Sequence, residues 1–317
     1  MTPYIALTDE RWFDFLSSRA VDGRVDEVNF WHPRAQRPLI KTMRPGDPVF
    51  FRLKKGRNVI VGYGFFAHFL VVGVDEAWSL FGWKNGDDSF AGFLGRIGGY
   101  RGEDLRRVEN RRKPLGCTIL RDARFWPDPS WMPWGAGRGW KPNIVQGKTE
   151  RDPRRAQALL ARIAADAAVQ PADLMDRFEP LDVDERTWVE RRVARREGQG
   201  TFKARLLDSY GQCAITGEHT RPVLDGAHIQ PYLDPRSNHV QNGLLLTKEF
   251  HTLFDQGYVT VTPDYEVRVS SALHDRWNNG KRYYQYDGAP LRTPKDPAHW
   301  PSRAALEWHA RQRFLGR

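Results

Sequence analysis

The sequence predicts an α+β protein: a curved N-terminal β-barrel with flanking helices, a helical linker, and a C-terminal domain of short strands around one helix. Three observations carry this. Short apolar runs bounded by Gly and Pro crowd residues 1–150; a charge-balanced helical stretch fills 151–197; strand, loop, strand and helix patterns follow over 198–317. At about 150 residues per domain, 317 residues suit two domains and a connector.

In chain order, Asp47–Leu53 (DPVFFRL) and Asn58–Phe66 (NVIVGYGFF) read as strands, entered from the turn signals Pro45-Gly46 and Gly56. Asp75–Phe81 (DEAWSLF) reads as a short helix and Cys117–Arg121 (CTILR) as a buried strand. Arg154–Ala167 has apolar residues at helical spacing among strong helix formers. Pro171 and Pro180 interrupt the chain before a second, highly charged helix over Asp184–Arg196. Phe202–Tyr210 is a short amphipathic helix, followed by strands at Cys213–Thr216, Val223–Ile229 and Asn242–Leu246. A helix over Thr247–Gln256 stops at Gly257, and Tyr258–Thr262 with Glu266–Ser270 forms a hairpin about Pro263-Asp264.

Composition excludes several classes. No run of about 18 apolar residues is present, so a transmembrane helix is not expected, and the N-terminus lacks a signal-peptide pattern. Two cysteines, Cys117 and Cys213, make neither a disulfide framework nor a four-cysteine zinc site. A cytoplasmic location is the expectation. The net charge is +10, of which residues 1–150 hold +7 (24 Lys/Arg against 17 Asp/Glu). An excess of this kind suits a polyanionic partner such as nucleic acid.

One ordered set of residues is not required by folding. His228 ends a strand, Asn242 opens the next, and His251 lies in the helix that follows. A neutral imidazole can take a proton from water, an amide can pin the loop that orients it, and a second imidazole can hold a divalent metal. His219 and His239 flank this set in loops and read as solvent or phosphate contacts. Cys213 reads as a core residue.

The segments Cys213–Gly217 (CAITG), Asp225–Pro231 (DGAHIQP), Asn242–Leu246 (NGLLL) and His251–Val259 (HTLFDQGYV) resemble the HNH endonuclease family with its ββα-metal fold, in the branch found in bacterial restriction proteins. Gly198–Arg205 (GQGTFKAR) and Leu306–Phe314 (LEWHARQRF) are similar to the same branch. The resemblance implies His228 as general base, Asn242 as its positioning residue and His251 as a metal ligand for Mg2+ or Mn2+, with Co2+ and Ni2+ as further candidates. Many HNH proteins place a metal ligand directly before the base, where this chain has Ala227. The missing carboxylate is then Asp225, on the same strand face as Ala227, or Asp255, one helical turn after His251.

Val28–Asp47 with the apolar runs after it, and Cys117–Pro127 (CTILRDARFWP), resemble EVE-type domains of the PUA superfamily, whose SRA relatives hold an extruded modified base between aromatic walls. That resemblance implies a base pocket, expected at Asn29, Phe30, Trp31 and Trp126. Trp131, Trp134 and Trp140 lie in a Gly/Pro-rich loop and are read as DNA wedges or as cover for the barrel end. Together the resemblances imply a modification-dependent restriction endonuclease acting as a homodimer on double-stranded DNA carrying modified cytosine. A non-catalytic nucleic-acid reader and an HNH nuclease indifferent to modification are the competing readings.

Overall fold

The computed structural model of the protein describes residues 2–35, 43–53, 56–135, 140, 144, 147–166, 178–180, 197–232, 235–277 and 280–316. The helix expected over Asp184–Arg196 lies outside them. The chain divides into two units, Met1–Met175 and Asp176–Arg317, and both mix helices with strands, as an α+β class requires.

Unit 1 runs β1 (Tyr4–Thr8), α1 (Glu10–Arg19), β2 (Arg24–His32), β3 (Pro48–Leu53), β4 (Val59–Val72), α2 (Val74–Phe81), α3 (Phe90–Arg101), α4 (Val108–Arg112), β5 (Leu115–Phe125), β6 (Met132–Pro133), β7 (Gly147–Thr149) and α5 (Pro153–Ala165). These strands form one sheet in the order β2-β5-β4-β3-β1-β7, with β6 on β4. β1 and β3 are parallel and the other pairings antiparallel. Register shifts at Phe51/Arg52, Tyr63/Phe65 and Phe66/His68 are bulges, which bend a strand and add twist. They curve the sheet.

Both sheet faces are buried, which is why its strands read as unbroken apolar runs. Tyr4, Ala6, Phe51 and Val61 join one core with Trp12, Phe13 and Leu16 of α1. Their neighbours Ile5, Phe50, Ile60 and Tyr63 turn the other way, onto Trp126, Trp134, Trp140 and Leu159 of α5. Helix α5, expected in the linker, thus completes a core of unit 1. Its entry is fixed by Asp152, whose carboxylate accepts from the Arg155 amide, with Pro153 in the first turn.

Trp134 and Trp140 are correspondingly no wedges. Trp134 is fully buried and Trp140 nearly so, capped by the Arg52 guanidinium 4.1 Å from its ring. Arg52 is itself buried, and it donates to the carbonyls of Trp134 and Leu53 and to Asn58 Oδ1.

Unit 2 contains α6 (Gln199–Tyr210), β8 (Leu224–His228), β9 (Gly243–Thr247), α7 (Lys248–Asp255), β10 (Val259–Val261), β11 (Val267–Val269), α8 (Ala272–Trp277), α9 (Lys281–Tyr284) and α10 (Arg303–Gln312). β8 and β9 form an antiparallel hairpin in which His228 faces Gly243 and Asp225 faces Leu246. β10 and β11 form the second hairpin, in the predicted place. The strand expected at Cys213–Thr216 is a turn: the Gly217 amide closes back on the Cys213 carbonyl, and Gly217 takes a φ of +78° that ends extension. Cys213 is fully buried, as a core residue should be.

Candidate active site

Four side chains of the HNH-like set lie on the β8–β9 hairpin and the helix it feeds. Asp225 and His228 are the second and last residues of β8. Gly226 and Ala227 lie between them, three steps of strand or about 10 Å along the chain. Asn242 directly precedes β9, and His251 sits in the first full turn of α7, whose N-terminus continues straight from β9.

His228 is held from three sides. The Phe202 ring of α6 stacks on it at 4.0 Å between centroids, 8° from parallel, and Tyr232 meets it edge-on at 6.0 Å. Its Nε2 lies 3.0 Å from Asn238 Oδ1. The Asn238 amide nitrogen donates to the Glu197 carbonyl at 2.6 Å, so the amide presents its oxygen to the imidazole. Nε2 therefore carries the ring hydrogen, and Nδ1 is the basic nitrogen. Asn238 and Phe202 were not singled out from sequence. Neither has a motif signal of its own, since a loop Asn and a helix Phe are ordinary in those places.

Asn242, expected to position the base, bonds to backbone. It is 1% exposed; its Oδ1 accepts from the Gln230 amide at 2.9 Å, and its Nδ2 donates to the Gln230 and Ser237 carbonyls at 3.1 and 2.9 Å. The Ile229 amide also donates to the Asn242 carbonyl. One buried amide thereby clamps the backbone on either side of the loop that begins at His228.

Both candidate carboxylates reach His251. Asp225 Oδ2 lies 3.1 Å from Nδ1 and Asp255 Oδ2 lies 3.4 Å from Nε2. Lys203 of α6 approaches the other Asp225 oxygen at 3.4 Å. Burial disfavours both charged forms, yet the contacts win. The hydrogen bond from His251 and the charge of Lys203 hold Asp225 down at about 2, while Asp225 and Asp255 raise His251 to about 9.

The two carboxylates take opposite nitrogens of one ring, so they cannot both share an ion with it. Among the described residues no group of three or more His, Cys, Asp or Glu is arranged around one point. The donor set fits a divalent cation through two protein ligands, Nδ1 of His251 with Asp225, or Nε2 with Asp255. The shorter contact and the anchoring strand favour Asp225. Such a pair suits a hard ion that keeps several water ligands.

The flanking histidines stand apart from this set. His239 accepts the Gln241 amide and stacks on Phe178 at 5.8 Å, while His219 lines an open groove with Thr216, Lys248 and Glu249. A ninth histidine, His309, is 2% exposed, stacked on Phe254 at 3.7 Å and bonded to Thr260; burial lowers it to about 4, which marks a core residue.

In unit 1 the residues expected to form a base pocket are not gathered. Asn29 and Trp31 point to one face of β2 and Phe30 to the other, as strand alternation dictates. Asn29 is fully buried, donating to Asn85 Oδ1 and Cys117 Sγ, and Trp31 donates to the Asn85 carbonyl. Phe30 packs on Trp12 and Phe51. Trp126 lies elsewhere, in the α5 core, with its Nε1 donating to Asp166.

No curated protein matches the chain. Among solved structures, an ASCH protein from Zymomonas mobilis aligns with 12% identity over 50% of this chain and 94% of its own, at a TM-score of 0.34. A structure titled "Modification dependent TagI restriction endonuclease" aligns with 13% identity over 90% of this chain and 74% of its own, at a TM-score of 0.25. Superpositions this loose carry no argument. No helix among the described residues is long and apolar enough to cross a membrane. The segment that holds the hairpin, Asn242 and His251 is more telling: residues 213–262 match the HNH endonuclease family profile.

Proposed function

We propose that the protein is a modification-dependent DNA endonuclease in which unit 2 hydrolyses phosphodiester bonds and unit 1 recognises 5-methyl- or 5-hydroxymethylcytosine. The observation that carries the nuclease half is the coincidence of one oriented imidazole and one His–carboxylate pair within the segment that matches HNH endonucleases. The basic charge of residues 1–150 supports DNA as the partner.

In this reading His228 Nδ1 takes a proton from water while Nε2–H stays on Asn238. The water oxygen attacks phosphorus in line, and the bond to the 3′ oxygen breaks, leaving 5′-phosphate and 3′-hydroxyl ends. Asn242 keeps the ring aimed by clamping the backbone that follows it. His251 and Asp225 would hold the cofactor, Mg2+ or Mn2+, and Lys203 places a positive charge beside them. When bound, the divalent ion supplies stabilisation of the charge that builds on the phosphate and the leaving oxygen. One such site cuts one strand, so a double-strand break takes two copies of the chain.

The test is a plasmid cleavage assay on DNA carrying 5-methylcytosine, 5-hydroxymethylcytosine or no modification, with Mg2+, Mn2+ or EDTA. Cutting of modified DNA alone, and only with metal, is the expected result. Equal cutting of all three plasmids would make the enzyme indifferent to modification. Tight binding without cutting in any metal would make it a reader.

A further inference from the structure

We infer that unit 1 holds an extruded cytosine in a cleft between α1 and the end of β5, walled by Phe13, Trp126 and Trp131, rather than on the β2 face at Trp31. This rests on the modified-base reading above and places its pocket. The cleft has a volume of about 580 Å³. That lies in the range of small-molecule sites and leaves room for a base with a substituent.

Its chemistry selects the ligand. Trp131 is partly exposed at the cleft, with Phe13 edge-on at 6.0 Å; its indole Nε1 is tied to the Trp126 carbonyl at 2.9 Å, which fixes the ring plane. A flat apolar wall of this kind is what an unstacked base needs. Asp22, Asp128 and Asp166 also line the cleft with Arg124, while the Arg162 and Arg57 guanidiniums stand over the Trp126 and Trp131 rings at 4.8 and 5.5 Å. The carboxylates offer acceptors to a group with hydrogens to donate. The amino group of cytosine is such a donor, and carboxylates are its usual acceptors. The Arg124 Nε is buried without a hydrogen-bond partner, a donor available to the ring carbonyl or N3 of that base. On the β2 face Asn29 and Trp31 spend their polar hydrogens on Asn85 and Cys117, which leaves the buried Asn29 Oδ1 as an acceptor only.

The test measures binding of the full-length protein in EDTA, where cleavage is silent, to duplexes with one 5-methylcytosine, one 5-hydroxymethylcytosine or plain cytosine. Trp131→Ala should lose about 5- to 150-fold of its preference for the modified duplexes, the range that one lost base–aromatic stack carries. Trp131→Phe, which restores a ring, should recover most of that preference. Asp128→Asn, at an exposed carboxylate, should lower preference without changing the melting temperature, and keeps the test open if Trp131→Ala fails to fold. Trp31→Ala should leave preference intact. Intact preference in both Trp131→Ala and Asp128→Asn, or its loss in Trp31→Ala alone, overturns the placement while sparing the modified-base reading. A wild type that binds all three duplexes equally overturns both.

Discussion

At the scale of single residues, the two imidazoles of the site have different surroundings. His228 meets an amide oxygen and two aromatic rings, whereas His251 sits between two carboxylates. His228→Ala should therefore cut cleavage by about 10²- to 10⁴-fold, the usual worth of a general base, while binding to DNA persists. Asn238→Leu should lower kcat with little change in KM, because the ring keeps its place but loses the acceptor that fixes its tautomer. Asn238→Asp, which keeps an acceptor and adds charge, should retain cleavage and move the acidic limb of the pH–rate profile upward. Identical profiles for wild type and Asn238→Asp would show that this contact does not set the base. His251 gives a pH signature in the metal-free protein. Its raised pKa means that the stabilisation it brings is complete below about 6.5 and is lost as pH climbs through about 9; Asp225, held low, contributes above about 3.8 and loses its share as pH falls through about 2. In EDTA, the melting-temperature gap between wild type and His251→Gln should be flat from about pH 5 to 6.5 and shrink by pH 10. A gap unchanged at pH 10 would mean that the Asp225–His251 contact is not an ion pair.

At the scale of elements, the hairpin and α6 meet at glycine. A Cβ at Gly243 would sit 2.6 Å from the Phe202 ring and 2.9 Å from Leu206. Phe202 is the ring that backs His228, so this close approach connects packing to chemistry. Gly243→Ala should cost about 1–3 kcal/mol of stability through overpacking and should also lower cleavage of the folded fraction, measured by denaturant titration beside initial rates. A stable Gly243→Ala protein with wild-type rate would show that the Phe202 stack does not aim the base. The elements themselves were largely legible. Hairpin turns, helix stops and apolar runs placed β3, β8, β9, α7 and the β10–β11 pair within a residue or two, because these signals are local. What escaped depends on distant partners. α5 carries a plain amphipathic pattern, and only its fit against Ile5, Phe50 and Tyr63 assigns it to unit 1. Asn29, Phe30 and Trp31 are adjacent in sequence and so attracted one role, yet a strand sends neighbours to opposite faces. Asn238 was hidden because its role arises from two contacts, to His228 and to Glu197, that span 10 and 41 residues.

At the scale of the whole molecule, one HNH-like segment per chain would, in the proposed nuclease, set the kinetics of DNA breakage. In that reading one oriented base, His228, serves a single scissile phosphate, and the described β8–β9–α7 residues supply no second one. On supercoiled plasmid bearing two or more modified cytosines, nicked circles should therefore appear first and linear product later. The nicking rate should rise in proportion to protein at low concentration, and linearisation should rise more steeply, since it takes two copies of the chain on one DNA. Raising salt should slow both steps by weakening the basic surface of residues 1–150, whose net charge is +7, with linearisation the more sensitive because it counts that binding twice. Mixing wild type with an excess of His228→Ala supplies the discriminating arm. If two copies act together, mixed pairs hold one dead site, so linear product should fall while nicked circles persist. Linear product that keeps pace with nicking in that mixture, at protein well below one copy per plasmid, would show that a single chain cuts both strands.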